Sequence, residues 1–228
     1  MTHVKNRGFE AIRIAPSHDG QGENNKMIQH TFGLIFKPSQ QWRRIAELPE
    51  SSQNMLVLYP FVFAIFPAVA WYFGTSRVGW TVGTYEQVIR LTEASALQVN
   101  ILFYCVMVAA VCVIGYFIHW MSDTYGAEHS TIAKGIMIAG LTATPLFITG
   151  LVGFYPILWI DLLIGVVAIS WAVYLMYLGI PIVMRIPQER GFLFSSAILA
   201  ISLVILVSIL VISVFAWDYG AAPAFTDG

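Results

Sequence analysis

Residues 192–217 read FLFSSAILAISLVILVSILVISVFAW, a run that contains neither a charged residue nor a proline. A helix needs about 20 apolar residues to cross roughly 30 Å of hydrocarbon, so this stretch is long enough to span a bilayer. The whole chain has a matching composition, because 57% of its 228 residues are hydrophobic and only 11% are charged. Too few polar groups remain to cover a water-soluble surface, and the sequence predicts an all-α polytopic membrane protein.

Apolar stretches of this kind recur along the chain and predict five transmembrane helices. The predicted spans cover residues of about 55–74, 99–120, 132–154, 157–178 and 192–217. Tyr155 and Pro156 separate the third span from the fourth, so these two should form a tight helical hairpin. The tryptophans that fall near span ends, as an aromatic belt requires, are Trp80, Trp120, Trp159 and Trp217.

The residues before the first span divide into two segments. Residues 1–26 are polar and lack apolar periodicity, which is typical of a disordered cytoplasmic tail. Residues 27–54 contain short amphipathic stretches, one of which places Trp42, Ile45 and Leu48 on one face. They are predicted to be interfacial amphipathic helices with Trp42 at the headgroup level. Linker helices held by protein contacts are an equally good alternative.

Lysine and arginine are distributed unevenly between the two sides of the predicted bundle. Only Arg77 and Arg90 lie in the loop after the first span, and all the others fall on the side of the N-terminus. The cytoplasmic side carries such an excess, so the N-terminus should be cytoplasmic and residues 218–228 should lie on the far side. The loop of residues 75–97 is polar, and the spacing of Tyr85, Val88, Ile89 and Leu91 predicts a short surface helix within it.

Ionisable residues inside a membrane are costly and are functional candidates by default. Asp161 lies about one and a half turns into the fourth predicted span and is the best single candidate. The alternative is that its carboxylate reaches the outer interface or is neutralised by hydroxyls of a neighbouring helix. His119 ends the second span beside Trp120, where an interfacial histidine is favoured over a proton relay.

A second candidate site is the sequence around Pro145 in the third span. Pro145 cannot donate to the carbonyl of Leu141, so a kink is predicted, with Thr142 and Thr144 beside it. Broken helices line binding sites in many transporters, but a kink patched by threonine is commoner as plain architecture. Small residues at close-packing spacing, favoured as helix contacts over a solute path, are Gly135, Ala139, Gly140, Ala143, Ser195, Ser202 and Ser213.

Motifs of catalysis and metal binding are missing from the sequence. It contains no HExxH, no GxSxG, no glycine-rich phosphate loop and no pair of intramembrane carboxylates. Cys105 and Cys112 lie too far apart along one helix for a disulfide. We therefore expect no enzyme, cofactor, metal or nucleic-acid partner. Five spans do not divide into two inverted halves, which disfavours a carrier but leaves open a channel formed by an oligomer.

Three stretches of the sequence carry a resemblance to a known family. Residues 143–156 read ATPLFITGLVGFYP, residues 177–181 read YLGIP and residues 187–196 read PQERGFLFSS. In this order and spacing they resemble the Yip1-domain family, and most of all its bacterial inner-membrane branch, from about Phe32 to about Trp217. The resemblance implies a five-span domain over residues 55–217, a cytoplasmic N-terminus and a periplasmic C-terminal tail. Eukaryotic relatives bind small GTPases, but the Asp-Leu-Tyr patch of their N-terminal tails is missing here.

Two functions follow from these observations as hypotheses. The first is a non-enzymatic inner-membrane protein that acts by helix packing with itself or with other membrane proteins, and that organises the lipid bilayer. The second is a small-solute or ion pathway built around Asp161 and the Pro145 kink. They differ in whether Asp161 and residues 142–145 line a wet cavity or pack against apolar side chains.

Overall fold

The computed structural model describes residues 31, 33–81, 88–127 and 130–226, so the predicted tail of residues 1–26 lies outside the described part of the chain. The helices are α1 (Pro38–Glu47), α2 (Glu50–Met55), α3 (Tyr59–Phe63), α4 (Ile65–Phe73), α5 (Glu93–Ser122), α6 (Ile132–Thr142), α7 (Thr144–Thr149), α8 (Leu158–Val183) and α9 (Gln188–Ala216). Tighter or wider helical turns extend them at Leu56–Leu58, Gly74–Val78, Asp123–Tyr125, Gly150–Phe154 and Trp217–Ala221. The all-α prediction is confirmed.

Four continuous helical stretches are long and apolar enough to cross a membrane. They are Glu50–Val78, Glu93–Tyr125, Leu158–Val183 and Gln188–Tyr219. A fifth crossing is formed by α6 together with the stretch Thr144–Phe154, which are bent by 45° relative to each other. Local signals explain where these helices begin, since the side chains of Thr92 and Thr131 accept hydrogen bonds from the first turns of α5 and α6.

Contacts between loops require the bent pair to cross the membrane. Arg185, after α8, donates a hydrogen bond to the carbonyl of Ala46, before the first span. Leu91, after the first span, pairs with Phe225, after the last. Each contact joins segments on one side of the bilayer, so an even number of crossings must separate its two partners. The number of crossings between Ala46 and Arg185, and between Leu91 and Phe225, is even only when α6 and α7 together make one crossing. The bundle then has five spans.

The bend in the third span lies where the sequence predicts a kink. α6 ends at Thr142, Ala143 forms the break, and Pro145 is in the first turn of α7. Proline fits the start of a helix because the N–H that it lacks has no partner there. The predicted kink is therefore present.

α1 packs against the inner half of α8. Trp42 and Ile45 have no exposed surface, and a Cβ atom on Gly179 of α8 would lie 2.6 Å from Cε2 of the indole. The indole ring therefore needs a glycine beneath it. The apolar face of α1 is covered by protein and does not face lipid, as the linker-helix alternative expects.

Glycines also allow the spans to approach each other closely. A Cβ atom on Gly115 of α5 would lie 2.6 Å from the Cα atom of Ile136 in α6. One on Gly140 would lie 2.8 Å from the ring of Pro60 in the first span. Small residues of the third span thus serve packing within this chain.

The end of the bundle that holds the loop after the first span carries a small β structure. Trp80–Thr81 pairs in antiparallel fashion with Val88–Ile89, so the predicted surface helix is wrong at these residues; residues 82–87 lie outside the described part. The β-branched pair Val88 and Ile89 favours a strand. The C-terminal segment pairs with the residues that follow the second strand, since Thr226 N donates to Arg90 O at 2.9 Å and Thr92 N donates to Ala224 O at 3.0 Å.

Candidate functional site

Buried hydroxyl groups from three segments form a hydrogen-bonded chain at the bend of the third span. Thr144 Oγ1 donates to the carbonyl oxygen of Leu141 at 2.6 Å, since a carbonyl can only accept. The Tyr59 hydroxyl lies 2.9 Å from Thr144 Oγ1 and must therefore donate to it. Thr31 Oγ1 lies 3.1 Å from the Tyr59 hydroxyl and donates in turn, because the single proton of Tyr59 is already used.

This hydroxyl chain compensates for the backbone bond that Pro145 cannot make. The hydroxyl of Thr144 takes the place of the missing N–H at the Leu141 carbonyl. Thr144 and Tyr59 have no exposed surface and Pro145 is buried, so these hydrogen bonds are shielded from solvent. Such a bond inside a membrane protein contributes about 1 kcal/mol. The arrangement holds the bend in place and ends on the backbone carbonyl of Leu141.

Thr142, the neighbouring candidate, is in a different situation. It ends α6 one residue before the break and is half-buried. Its Oγ1 atom is buried and has no hydrogen-bond partner among the described residues. Thr142 and Thr144 therefore do not act as a pair: one belongs to the hydroxyl chain and the other lies beside it.

Asp161 lies in the first turn of α8, where its own N–H donates to the carbonyl of Ile157 at 2.9 Å. The helix therefore begins only one turn before it, and the macrodipole favours a negative charge at this position. This corrects the expectation that Asp161 sits deeper in the helix. Its Oδ1 atom is buried and unpartnered within the described chain. Gly165, one turn further, has nothing within 4 Å of the position of a Cβ atom.

His119 lies near the end of α5, at the opposite end of the bundle from Asp161. Its Nδ1 atom is 3.1 Å from Oγ of Ser130, in the loop before α6. The hydrogen bond ties this loop to the end of the helix. The structure thus brings Thr144 and Pro145 together with Tyr59, and keeps His119 apart from them.

Sequence reasoning missed Tyr59 and Thr31 as members of the site. One signal was present, because Tyr59 and Tyr72 are the two residues with a hydroxyl group in the apolar stretch 55–74, and Tyr59 comes directly before Pro60. Its partner could not be identified from the sequence, since Tyr59 and Thr144 are 85 positions apart. In the described ranges, no three His, Cys, Asp or Glu side chains are placed to bind a metal ion.

Comparison with known proteins places this architecture in a family. The Yip1 domain model matches residues 32–209. The chain is 35% identical over 193 residues to the inner membrane protein YohC of Escherichia coli K12, an alignment that covers 85% of this chain and 98% of that relative. YohC of Escherichia coli O6:H1 matches equally well. No solved structure matches significantly. Because both the family model and these relatives cover most of its length, the chain belongs to the Yip1 domain family.

Proposed function

We propose that this protein is a non-enzymatic, multi-pass protein of the bacterial inner membrane that acts by packing its helices against a second copy or other membrane proteins. The observation that carries the proposal is the outer half of α8. There Asp161 is half-buried, with its Oδ1 atom covered by this chain and unpartnered, and Gly165, one turn further, has open space above it.

A partner helix would satisfy both features of this face. Residues four positions apart lie on one side of a helix, so Asp161 and Gly165 are neighbours on its surface. Oδ1 of Asp161 is covered by its own chain, so a second helix would approach the rest of the carboxyl group, where a hydroxyl or amide donor would stabilise the charge. A glycine lets the second helix come close. The exposed side chains of Leu162, Val166 and Ile169 supply apolar contacts around it.

The interior of the bundle supports the same proposal. Thr144 is fully buried and its hydroxyl is bonded to Tyr59 and Leu141. Gly140 packs on the ring of Pro60. Apart from Thr142, whose Oγ1 atom is buried and unpartnered, the polar and small residues named here around the bend are therefore used in holding this chain together.

The test is the substitution Gly165→Leu, measured by energy transfer between labelled copies in liposomes. The Cβ atom of the new side chain meets nothing within 4 Å in the described chain, so we expect little effect on folding. We expect association between copies to weaken by about tenfold, because the leucine holds a partner helix away. Val207→Leu on the exposed side of α9 is the matched control. Association that is equally strong in Gly165→Leu and in the native protein argues against this face.

The second candidate function is a small-solute or ion pathway that uses Asp161 and the Pro145 kink. The unpartnered polar atoms of Asp161 and Thr142 are the observation that favours it. Flux through proteoliposomes, compared between the native chain and Asp161→Asn, decides between the two. Flux that is lost in Asp161→Asn would replace the packing proposal, whereas no flux across a broad panel of ions and solutes leaves packing as the function.

Within the same proposal, the N-terminus lies in the cytoplasm and the C-terminus in the periplasm. The excess of lysine and arginine on the side of α1 supports this orientation. The lipid bilayer is then a partner in its own right, and the exposed, basic side of α1 is the surface through which the protein would organise it.

A further inference from the structure

Arg185 has a backbone conformation that arginine rarely adopts. Its φ angle of 52° lies in the left-handed region, and among the described residues it is the one non-glycine residue with a positive φ. α8 ends here in a Schellman motif, because Ile186 N donates to Pro181 O at 3.1 Å. Arg185 therefore occupies the position that helices most often give to glycine. The backbone does not explain why an arginine is found there.

The side chain of Arg185 joins α8 to the basic side of α1. Its Nη2 atom donates to the carbonyl oxygen of Ala46 at 3.5 Å, a long contact that uses one of its N–H donors. Arg43 precedes Ala46 by three residues and so projects from the same side of α1. Both arginines are exposed, and neither has an ion-pair partner within the described chain, although Glu47 follows Arg43 on the same helix.

We propose that Arg43 and Arg185 bind the phosphate of an anionic phospholipid headgroup. Arg185 comes two residues after the last residue of membrane-spanning α8, and headgroup phosphates lie at this depth. A guanidinium binds phosphate through two parallel hydrogen bonds, which makes arginine well suited to this ligand. A phosphate that accepts hydrogen bonds from both guanidinium groups would link α1 to the end of α8. A bound lipid would thus also hold α1 against α8.

The experiment is thermal unfolding of the purified full-length protein in detergent with added phosphatidylglycerol, with phosphatidylcholine as the neutral comparison. We expect phosphatidylglycerol to raise the Tm of the native chain. Arg185→Gly should need about tenfold more phosphatidylglycerol for the same rise. Without lipid its Tm should not fall, because glycine suits the left-handed position better. Arg185→Asn, which also tolerates this conformation, is the second variant.

Controls separate binding of the lipid headgroup from binding of free phosphate and from a general effect of added lipid. Arg77→Gln removes an exposed arginine at the opposite end of the bundle and should keep the native response. The proposal is overturned if the native Tm rises equally with both lipids, or if both Arg185 variants keep the full response to phosphatidylglycerol. It is also overturned if inorganic phosphate, added with phosphatidylcholine, gives the same rise as phosphatidylglycerol, since the ligand would then be free phosphate.

Discussion

At the scale of single residues, the bend of the third span depends on Thr144. Its hydroxyl donates to the carbonyl that Pro145 leaves without a partner, and it accepts a hydrogen bond from the hydroxyl of Tyr59. The side chain of Thr144 therefore provides a donor for the free carbonyl at the break between α6 and α7, and it also links the break to the first span. Because the site is buried, no solvent molecule is at hand to replace either hydrogen bond.

Replacing Thr144 by valine should destabilise the protein by about 2 kcal/mol. Valine has nearly the same shape, but it removes the hydroxyl that donates to the carbonyl of Leu141 and the hydrogen bond between Thr144 and Tyr59. Thr144→Ser keeps the hydroxyl and should lose less than half as much. Unfolding in a denaturing detergent measures both variants. Equal stability of the two would show that the hydroxyl chain does not hold the bend.

At the scale of helices and strands, the sequence predicts what depends on local pattern. The proline kink and the long apolar helices follow from residues that are adjacent in the chain. The surface helix at Val88 and Ile89 was predicted wrongly, because the spacing of apolar residues in so short a run does not distinguish a helix from a strand. Pairing with Trp80 and Thr81 makes it a strand. The surroundings of α1 could not be decided from the sequence for a similar reason, since a helix at the membrane interface and a helix packed on protein both have one apolar face. Gly179, far away in sequence, accommodates the indole of Trp42.

The packing of Trp42 against Gly179 gives a prediction with a matched control on the same helix. Gly179→Ala places a methyl group 2.6 Å from the indole, so Trp42 must shift and α1 should loosen, at a cost of about 1–3 kcal/mol. Gly165→Ala meets no neighbour and should be neutral or mildly stabilising. Hydrogen exchange over Pro38–Glu47 measures the difference. The docked position of α1 would be contradicted if exchange there is the same in both variants.

The C-terminal segment gives a second prediction at this scale. Deleting residues 223–228 removes the backbone bonds to Arg90 and Thr92 and the bond from Ala224 N to Ser95 Oγ. We expect faster hydrogen exchange at Thr92 and at the start of α5, while α6 and α8 stay protected. Ser95→Ala, which removes one of these bonds, should show a smaller change in the same region. Unchanged exchange after the deletion would mean that the C-terminal segment does not stabilise this end of the bundle.

For the whole molecule, the number of crossings decides where the termini lie. If the bent pair α6–α7 entered and left the membrane on one side, four crossings would remain and both termini would share a side. The contact of Arg185 with Ala46 would then be impossible, because three crossings would separate them. Five crossings also put nearly all lysines and arginines on one side, which the charge rule requires of the cytoplasm.

We therefore expect reporters fused to the two ends to give opposite results. A fluorescent protein that folds only in the cytoplasm should be bright at the N-terminus, and an alkaline phosphatase that needs the oxidising periplasm should be active at the C-terminus. Exchanging the two reporters should silence both, which controls for expression. Activity of one reporter at both ends would show a re-entrant α6–α7. Reversed activities would keep five crossings but invert the protein, and Arg43 and Arg185 would then face periplasmic headgroups.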